Sequence, residues 1–440
     1  MPLDRTCAMA VAIAILSLSA CGKQPPADPV AALPAMAPYE IGDAYLYLLG
    51  RALVLRQQRL DFEQGGFQWN QLVHRTPGET TQSSPELDVA YSEAWIAVDE
   101  RHCVLLEVPS ITKRYYTWHM VNGWGETLVN INERTFPDQP HGKFALCLKD
   151  SAAVAPDGAR RIDLPVKSVR AIARVGLGSD PSTARRLQQQ FKLTAPAEIA
   201  APSFIQVPLF TDEALPGVEL FDQAQQILTD EPDINAGMES IRAQVAKVAE
   251  LAKAEVHRQR VREGIEKEGW PTLKELLATP GPKSKGWSHP AVAGNYGSDY
   301  RRRTMMNFAA LWANVNTEVT FFGNQKLDGS QAYVQTFDAD SPPSAKASQG
   351  WSVMVLDAET RQVIGNDLNR FSLGDSARLQ PNPDGSLTIA FAPTLPDGIA
   401  KSNWLPTAAG KRYNLNLRFH VPAEDVVQGT YFPPPLTARP

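Results

Sequence analysis

The order of apolar and polar positions changes character several times along this chain, and each change predicts a different element. Ala8 to Leu18 is an almost unbroken apolar run, well short of the ~20 residues that span a bilayer. Gly22 to Pro38 carries five prolines and almost no bulky apolar residue, which predicts an extended spacer with no core of its own. Over residues 41 to 60, Tyr45, Leu48, Leu49 and Ala52 recur on one side at helical spacing, so a helix opens the folded part. The pattern then shortens to strands. Tyr91 to Val98, Cys103 to Val108, Arg114 to Val121, Thr127 to Ile131, Lys143 to Leu148 and Ser168 to Val175 are rich in β-branched and aromatic residues and are separated by Gly, Pro, Asp or Asn. Such spacing predicts an antiparallel sandwich or barrel.

Pro181 to Leu193 returns to a helical pattern. In the middle of the chain Ile241, Val245, Val248, Ala252 and Val256 form a stripe between charged residues, predicting an amphipathic helix that stops near Gly269, before Trp270-Pro271. Pro280 to Gly286 reads as a linker, and Tyr300 to Val319 as another helix. Strand patterns resume at Ala332 to Phe337, Trp351 to Leu356, Ser386 to Phe391 and Arg412 to Val421, with a turn at Asn382-Pro-Asp-Gly385 ahead of the third. The fold class is therefore mainly β with a helical insertion. Its segments are a leader over 1–20, a Pro/Ala-rich tether over 21–38, an N-terminal β domain with its leading helix over 39–200, a helical segment and linker over 201–290, and a C-terminal jelly-roll β-sandwich over 291–440.

The leader has a further meaning. Arg5 precedes the apolar run, which closes on Leu18-Ser19-Ala20-Cys21, the pattern of a bacterial lipoprotein signal peptide. Cys21 is then the expected lipidation site, so the mature chain would be held at a membrane without crossing it. Gly22 after the cysteine goes with outer-membrane retention, placing the chain in the cell envelope facing the periplasm. A net charge of −5 with interspersed signs argues against nucleic acid as a partner. The dense basic run Arg301-Arg302-Arg303 reads as a solvated helix end. With Cys21 lipidated, Cys103 and Cys147 remain to pair in an oxidising compartment, each within a strand-like run. A disulfide and a pair of buried thiols are both compatible with that pattern. Without a CxxC or a His at ligand spacing, a zinc site is not expected.

Several stretches resemble a known pair of bacterial domains. Asn70-Gln-Leu-Val-His74, Asp88-Val-Ala-Tyr-Ser-Glu-Ala-Trp95, Arg114-Tyr-Tyr116 and Val129-Asn130 resemble the domain of unknown function numbered 1254. Gly350-Trp-Ser352, Asn369 to Asp375, Asp384 to Ile389, Asn403-Trp-Leu-Pro406 and Gly429 to Pro434 resemble the domain numbered 1214. The resemblance implies an N-terminal immunoglobulin-like or barrel-like β domain, a helical segment and a C-terminal jelly roll. It carries a fold but no settled reaction. Where the first pattern usually has Asn two positions before the Asp corresponding to Asp88, this chain has Glu86.

Motifs for zincins, nucleotide binding and α/β-hydrolases are absent, and Ser110-Ile-Thr-Lys113 lacks the elements that accompany S-x-x-K in its enzymes. The best constellation is in the first domain. Alternation puts Tyr91, Glu93 and Trp95 on one face of their strand, and Tyr115, Thr117 and His119 on one face of theirs. With His74, Asp88, Asn122, Trp124 and Asn130, they would form a pocket of carboxylates, imidazoles, amides and aromatic plates. In the second domain Trp351, Asn366, Asn369 and Arg370 could hold a carboxylate or sugar, or lock a sandwich corner. No cofactor and no metal centre is predicted, Asp88 and Glu93 being the one pair that could hold a divalent ion. Three readings follow. The first is an envelope lipoprotein that binds a polar small molecule or carbohydrate in an aromatic cleft. The second is a periplasmic hydrolase or lyase using Glu93 with His74 or His119 as acid and base. The third is a structural protein that docks a partner through its helical middle.

Overall fold

The computed structural model describes residues 36–77 and 85–439. The leader, Cys21 and the tether through residue 35 lie outside the described residues, and the last residue expected in the tether, Pro38, already belongs to the first helix.

The strand patterns of the first domain form two sheets. One runs in the order β1 (Val73–His74), β2 (Val89–Ala97), β8 (Ser168–Gly176), β4 (Tyr116–Val121), β5 (Thr127–Ile131). The other runs β7 (Arg160–Leu164), β6 (Gly142–Leu148), β3 (Val104–Val108), β9 (Lys192–Thr194). Ile96, Leu106, Trp118, Phe144, Leu146 and Ala171 fill the space between them. Each such fully buried large side chain contributes about 1.5–3 kcal/mol. Cys103, just ahead of β3, is bonded to Cys147 of β6 across a sequence separation of 44. Cross-linking a loop of that length removes roughly 4 kcal/mol of unfolded-chain entropy.

The second face of the β2–β8–β4 sheet is also covered. Val54 of helix α1 (Pro38–Glu63), Phe67 and Trp312 pack on Trp95, Val121 and Ile172. Burial on both sides explains why β2 and β8 are buried at nearly every position. The one-sided helix expected over 41–60 is in fact enclosed all round, for Leu46, Tyr47, Leu53 and Val54 are as buried as Tyr45 and Leu48. Helices α4 (Glu239–Ala252), α5 (Glu255–Gly264), α6 (Trp270–Ala278) and α7 (Tyr300–Ala309) surround what the sheet leaves open. Close approach depends on glycine: a Cβ at Gly264 or Gly269 would stand 2.8 Å from Ile41 or Tyr45 of α1.

The middle helix departs from expectation twice. Ile241, Val245, Val248 and Ala252 are buried along α4, but the chain breaks before α5 and Val256 is exposed. Nor does helix end at Gly269. A π-helical turn, Ile265–Gly269, passes directly into α6, and Pro271, which has no N–H to give to the preceding turn, sits where the wider spacing returns to the ordinary one. The helix expected over 300–319 ends at Ala309, and from Val319 the chain is strand. Trp312 between them has φ +69°, a left-handed conformation that no helix continues through.

The C-terminal part is a second sandwich. Its larger sheet runs β10 (Lys283–Ser284), β11 (Trp287–Ser288), β12 (Val319–Asp328), β18 (Arg412–His420), β14 (Trp351–Asp357), β15 (Ser372–Gly374). The smaller runs β17 (Trp404–Pro406), β16 (Leu387–Ala392), β13 (Ala332–Phe337), β19 (Thr437–Arg439). Phe322, Phe337, Val353, Ile389, Leu417 and Phe419 are core between them. The turn at 382–385 forms as expected, Gly385 donating to the Asn382 carbonyl at 2.9 Å ahead of β16. Along β18 odd positions enter this core, so Asn414, Asn416, Arg418 and His420 occupy the opposite face of the sheet.

Candidate functional site

That polar face of β18 meets the second face of the first domain's sheet. Register sets Tyr91 and Thr117 on either side of Arg174, and Glu93 and His119 on either side of Ile172. Between the two faces is a cavity of about 100 Å³ whose walls include Glu86, Tyr91, Arg174, Trp312, Asn314 and Arg418. It has room for several waters or a small ligand group.

The charges in its walls are organised. Arg174 donates from Nε to Glu86 at 2.6 Å, and the Tyr91 hydroxyl donates to the same carboxylate at 2.7 Å. Burial opposes ionisation of Glu86, but Arg174 and Arg418 outweigh it and hold the carboxyl well below its ordinary range. Arg418 donates to the Pro85 carbonyl at 2.6 Å, tying the second domain to the stretch that carries Glu86. Asp88 accepts from Ser352 Oγ of β14, and burial raises its pKa. His420 is 3% exposed, lies 4.8 Å from the Tyr115 ring at a tilt of 50°, and neither ring nitrogen has a hydrogen-bond partner among the described residues. Burial lowers its pKa and favours the neutral ring.

Two further polar atoms of the cavity-lining residues are buried without partners among the described residues, Trp312 Nε1 and Asn416 Oδ1. Unpaired buried groups are uncommon and mark places where water or a ligand completes the bonding. Asn314 holds a reciprocal amide pair with Asn130 of β5, at 2.9 and 2.8 Å.

His119 lies on this face but is fully engaged. Arg174, always a donor, points NH1 at Nδ1 from 3.4 Å, so the proton belongs on Nε2, which donates to Thr127 Oγ1 at 2.8 Å. Burial and the neighbouring Arg174 push its pKa well down. Glu93 is held by Arg75 at 2.9 Å and Arg170 at 2.7 Å and is bonded to neither histidine. His74 is across the sheet from it: β1 pairs His74 with Ser92, whose side chain alternates away from Glu93, and Nδ1 meets Ser92 Oγ at 2.8 Å. The geometry required for the acid–base reading is therefore not present.

Asn122 and Trp124 are elsewhere. The Asn122 side chain accepts from the Trp124 and Glu126 amides within its own turn. Trp124 is buried in a second charged cluster, donating to the Glu231 carbonyl at 3.1 Å, with its ring 4.9 Å from both Tyr47 and the Arg303 guanidinium. Arg303, expected to be solvated, is 1% exposed and paired with Asp233 at 2.8 Å and Glu126 at 3.3 Å, while Arg301 and Arg302 stay at the surface. In the second domain Asn366 accepts from the Arg370 amide, Asn369 adopts φ +47°, and Arg370 donates to the Trp404 carbonyl. With Trp351 in the core, that group locks a corner of the sandwich.

Arg174, Arg418, Asn416, Trp312 and His420 were not among the sequence candidates. The signal for three of them was present in β18, where Asn416, Arg418 and His420 alternate with Leu415, Leu417 and Phe419. Glu86, noted as a departure from the resembled pattern, is the carboxylate that Arg174 holds.

The chain is similar over 92% of its length to the whole of the VPA0106 protein from Vibrio parahaemolyticus, known from a crystal structure, with a TM-score of 0.63 and 19% identity. An uncharacterized protein from Burkholderia cenocepacia matches at a TM-score of 0.45 and 13% identity over 94% of this chain and 90% of that one. The first likeness supports the fold. No curated protein matches the chain. The family model described as "Protein of unknown function (DUF1254)" matches residues 69–195, and the one described as "Protein of unknown function (DUF1214)" matches 322–424. The chain thus joins a DUF1254 domain to a DUF1214 domain, in that order.

Proposed function

We propose that this chain is an envelope lipoprotein, acylated at Cys21, that binds a polar small molecule in the cavity between its two sandwiches. The carrying observation is the cavity itself: guanidinium, carboxylate, phenol and amide groups from both domains converge on it, and Trp312 Nε1 and Asn416 Oδ1 lack partners. Tyr91, Trp312 and Phe321 supply the aromatic surface that sugar rings and other flat ligands favour. The leader supports the tether, and no helix among the described residues is long and apolar enough to cross a membrane.

The test is a thermal-shift screen of the purified chain against organic acids and sugars, repeated with Arg174→Lys. A ligand that binds only the folded state raises Tm by mass action. The lysine variant keeps the charge and loses the planar fork. Loss of one charge-assisted hydrogen bond, about 1.5–3 kcal/mol, should weaken a hit roughly ten- to hundredfold. A hit indifferent to Arg174→Lys would place the ligand elsewhere, and no hit in either class would remove the reading.

A further inference from the structure

The cavity is one end of a longer path. Ala310, Phe321 and Asn416 also line a second cavity of about 140 Å³, whose other walls include Leu277, Pro280, Met305, Met306 and Leu415. Leu277, Ala309, Gln325 and Asn414 are then shared with a surface cleft of about 360 Å³ beside Arg361. The three compartments follow one another along β18: Arg418 in the first, Asn416 in the first and second, Asn414 in the second and third. At about 3.3 Å per residue, Arg418 to Asn414 spans roughly 13 Å.

The chemistry changes along that distance. The first compartment is walled by Arg174, Arg418, Glu86 and Tyr91; the second is lined mainly by Leu277, Pro280, Phe321 and two methionines, whose flexible thioethers mould to apolar ligands, with Gln325, Arg361 and Asn414 where it meets the surface cleft. Gly323 pairs with Asn416 across the β12–β18 ladder and lines the second compartment. A Cβ placed there would meet no atom nearer than 4.0 Å. The missing side chain leaves space over the sheet where the two compartments adjoin.

Resting on the binding reading above, we propose that the ligand is amphipathic: a straight-chain carboxylate with its head at Arg174 and Arg418 and its hydrocarbon tail between Met305, Met306 and Phe321. A compact polar ligand would use the first compartment and leave the second unfilled.

The test titrates the full chain with straight-chain carboxylates from acetate to decanoate, with n-alkylamines of matched length, and with the short organic acids and sugars of the screen. Each buried methylene adds about 0.8 kcal/mol, so affinity should rise about fourfold per carbon through the middle of the series. The amines should bind at least tenfold more weakly than the matched carboxylates. Gly323→Val, which fills the passage from a strand position suited to a β-branched residue, should abolish the rise with chain length and leave short acids binding as before. Short polar compounds that bind with no gain from chain length would overturn the amphipathic assignment and keep the binding reading. A chain-length rise unchanged by Gly323→Val would overturn the proposed path, amines binding as well as acids would overturn the head site, and no binding by any probe would overturn both readings.

Discussion

Two of the buried charge clusters in this molecule differ in what surrounds them. In one, Arg303, Asp233, Glu126, Arg51 and Glu231 interlock with Tyr47 and Trp124, and the cavity beside Arg51 and Glu231 is only about 10 Å³. In the other, Arg174, Glu86, Tyr91 and Arg418 face about 100 Å³ of open space, and polar atoms beside it lack partners. Burial of charge is common to both, so it does not by itself indicate function. The packed cluster directs most of its bonds to α1, the β4–β5 turn and the segment after the helix Ala224–Asp230. Unpaired atoms occur in both, Arg51 Nε and Arg303 Nε in the packed cluster and Trp312 Nε1 and Asn416 Oδ1 in the open one, so the space beside the open cluster is what sets it apart.

The comparison can be broken most forcefully at Arg303. Arg303→Ala leaves the buried Asp233 and Glu126 without their cation, which costs about 3–5 kcal/mol of stability. Chemical denaturation should show that loss, while the protein that remains folded binds the cavity ligand as before. If binding falls with stability held, the two clusters are one functional unit and the distinction fails.

Next in size is a difference of sign in pH dependence. Burial, opposed by Arg51, pushes the Glu231 carboxyl up to about 7 from an ordinary 4.5. The folded chain then keeps a proton that the unfolded chain releases. Its contribution to stability is full below about pH 4.5 and is lost as pH rises through about 7. Glu86, held below its ordinary value of 4.5, contributes above that value and loses its contribution as pH falls. Tm of the parent chain relative to Glu231→Gln should therefore decline between pH 5 and 8, and relative to Glu86→Gln it should decline from pH 5 downward. Slopes of the same sign would show that both carboxylates are ionised in the fold, and that the packed cluster differs from the open one only in space.

The smallest effect sharpens the comparison. Trp312→Phe keeps a ring against Trp95 and removes the fused second ring with its N–H, which has no partner among the described residues. The lost volume should cost about 1–2 kcal/mol of stability, while cavity-ligand affinity falls severalfold. A stability loss of several kcal/mol without any change in affinity would mean that the N–H serves the fold.

Much of the fold was legible. Thr127–Ile131 was delimited to the residue, and Lys143 to Leu148 and Ser168 to Val175 to within one, because alternating β-branched and aromatic residues between turn formers report a local preference. Less of the site was legible. The shared face of Tyr91, Glu93 and His119 follows from a period of two, yet Glu93 and His119 are taken up by Arg170, Arg75 and Arg174. The helix expected through Val319 missed the Trp312–Asn314 wall, since its left-handed turn has no glycine to signal it.

By itself, then, the sequence determined the strand-rich halves and which side chains share a face, both consequences of short-range periodicity, while the pairing of the two domains was carried by resemblance. Tertiary structure decided what covers each face. It enclosed α1 on every side, drew Arg303 out of a basic surface run into an ion-pair network, and set Arg418 of β18 opposite Arg174 of β8. Period-two alternation says that a polar row stands apart from the core. Only the packing of one sheet against another settles whether that row meets water, a tight set of countercharges, or a cavity with room for a ligand.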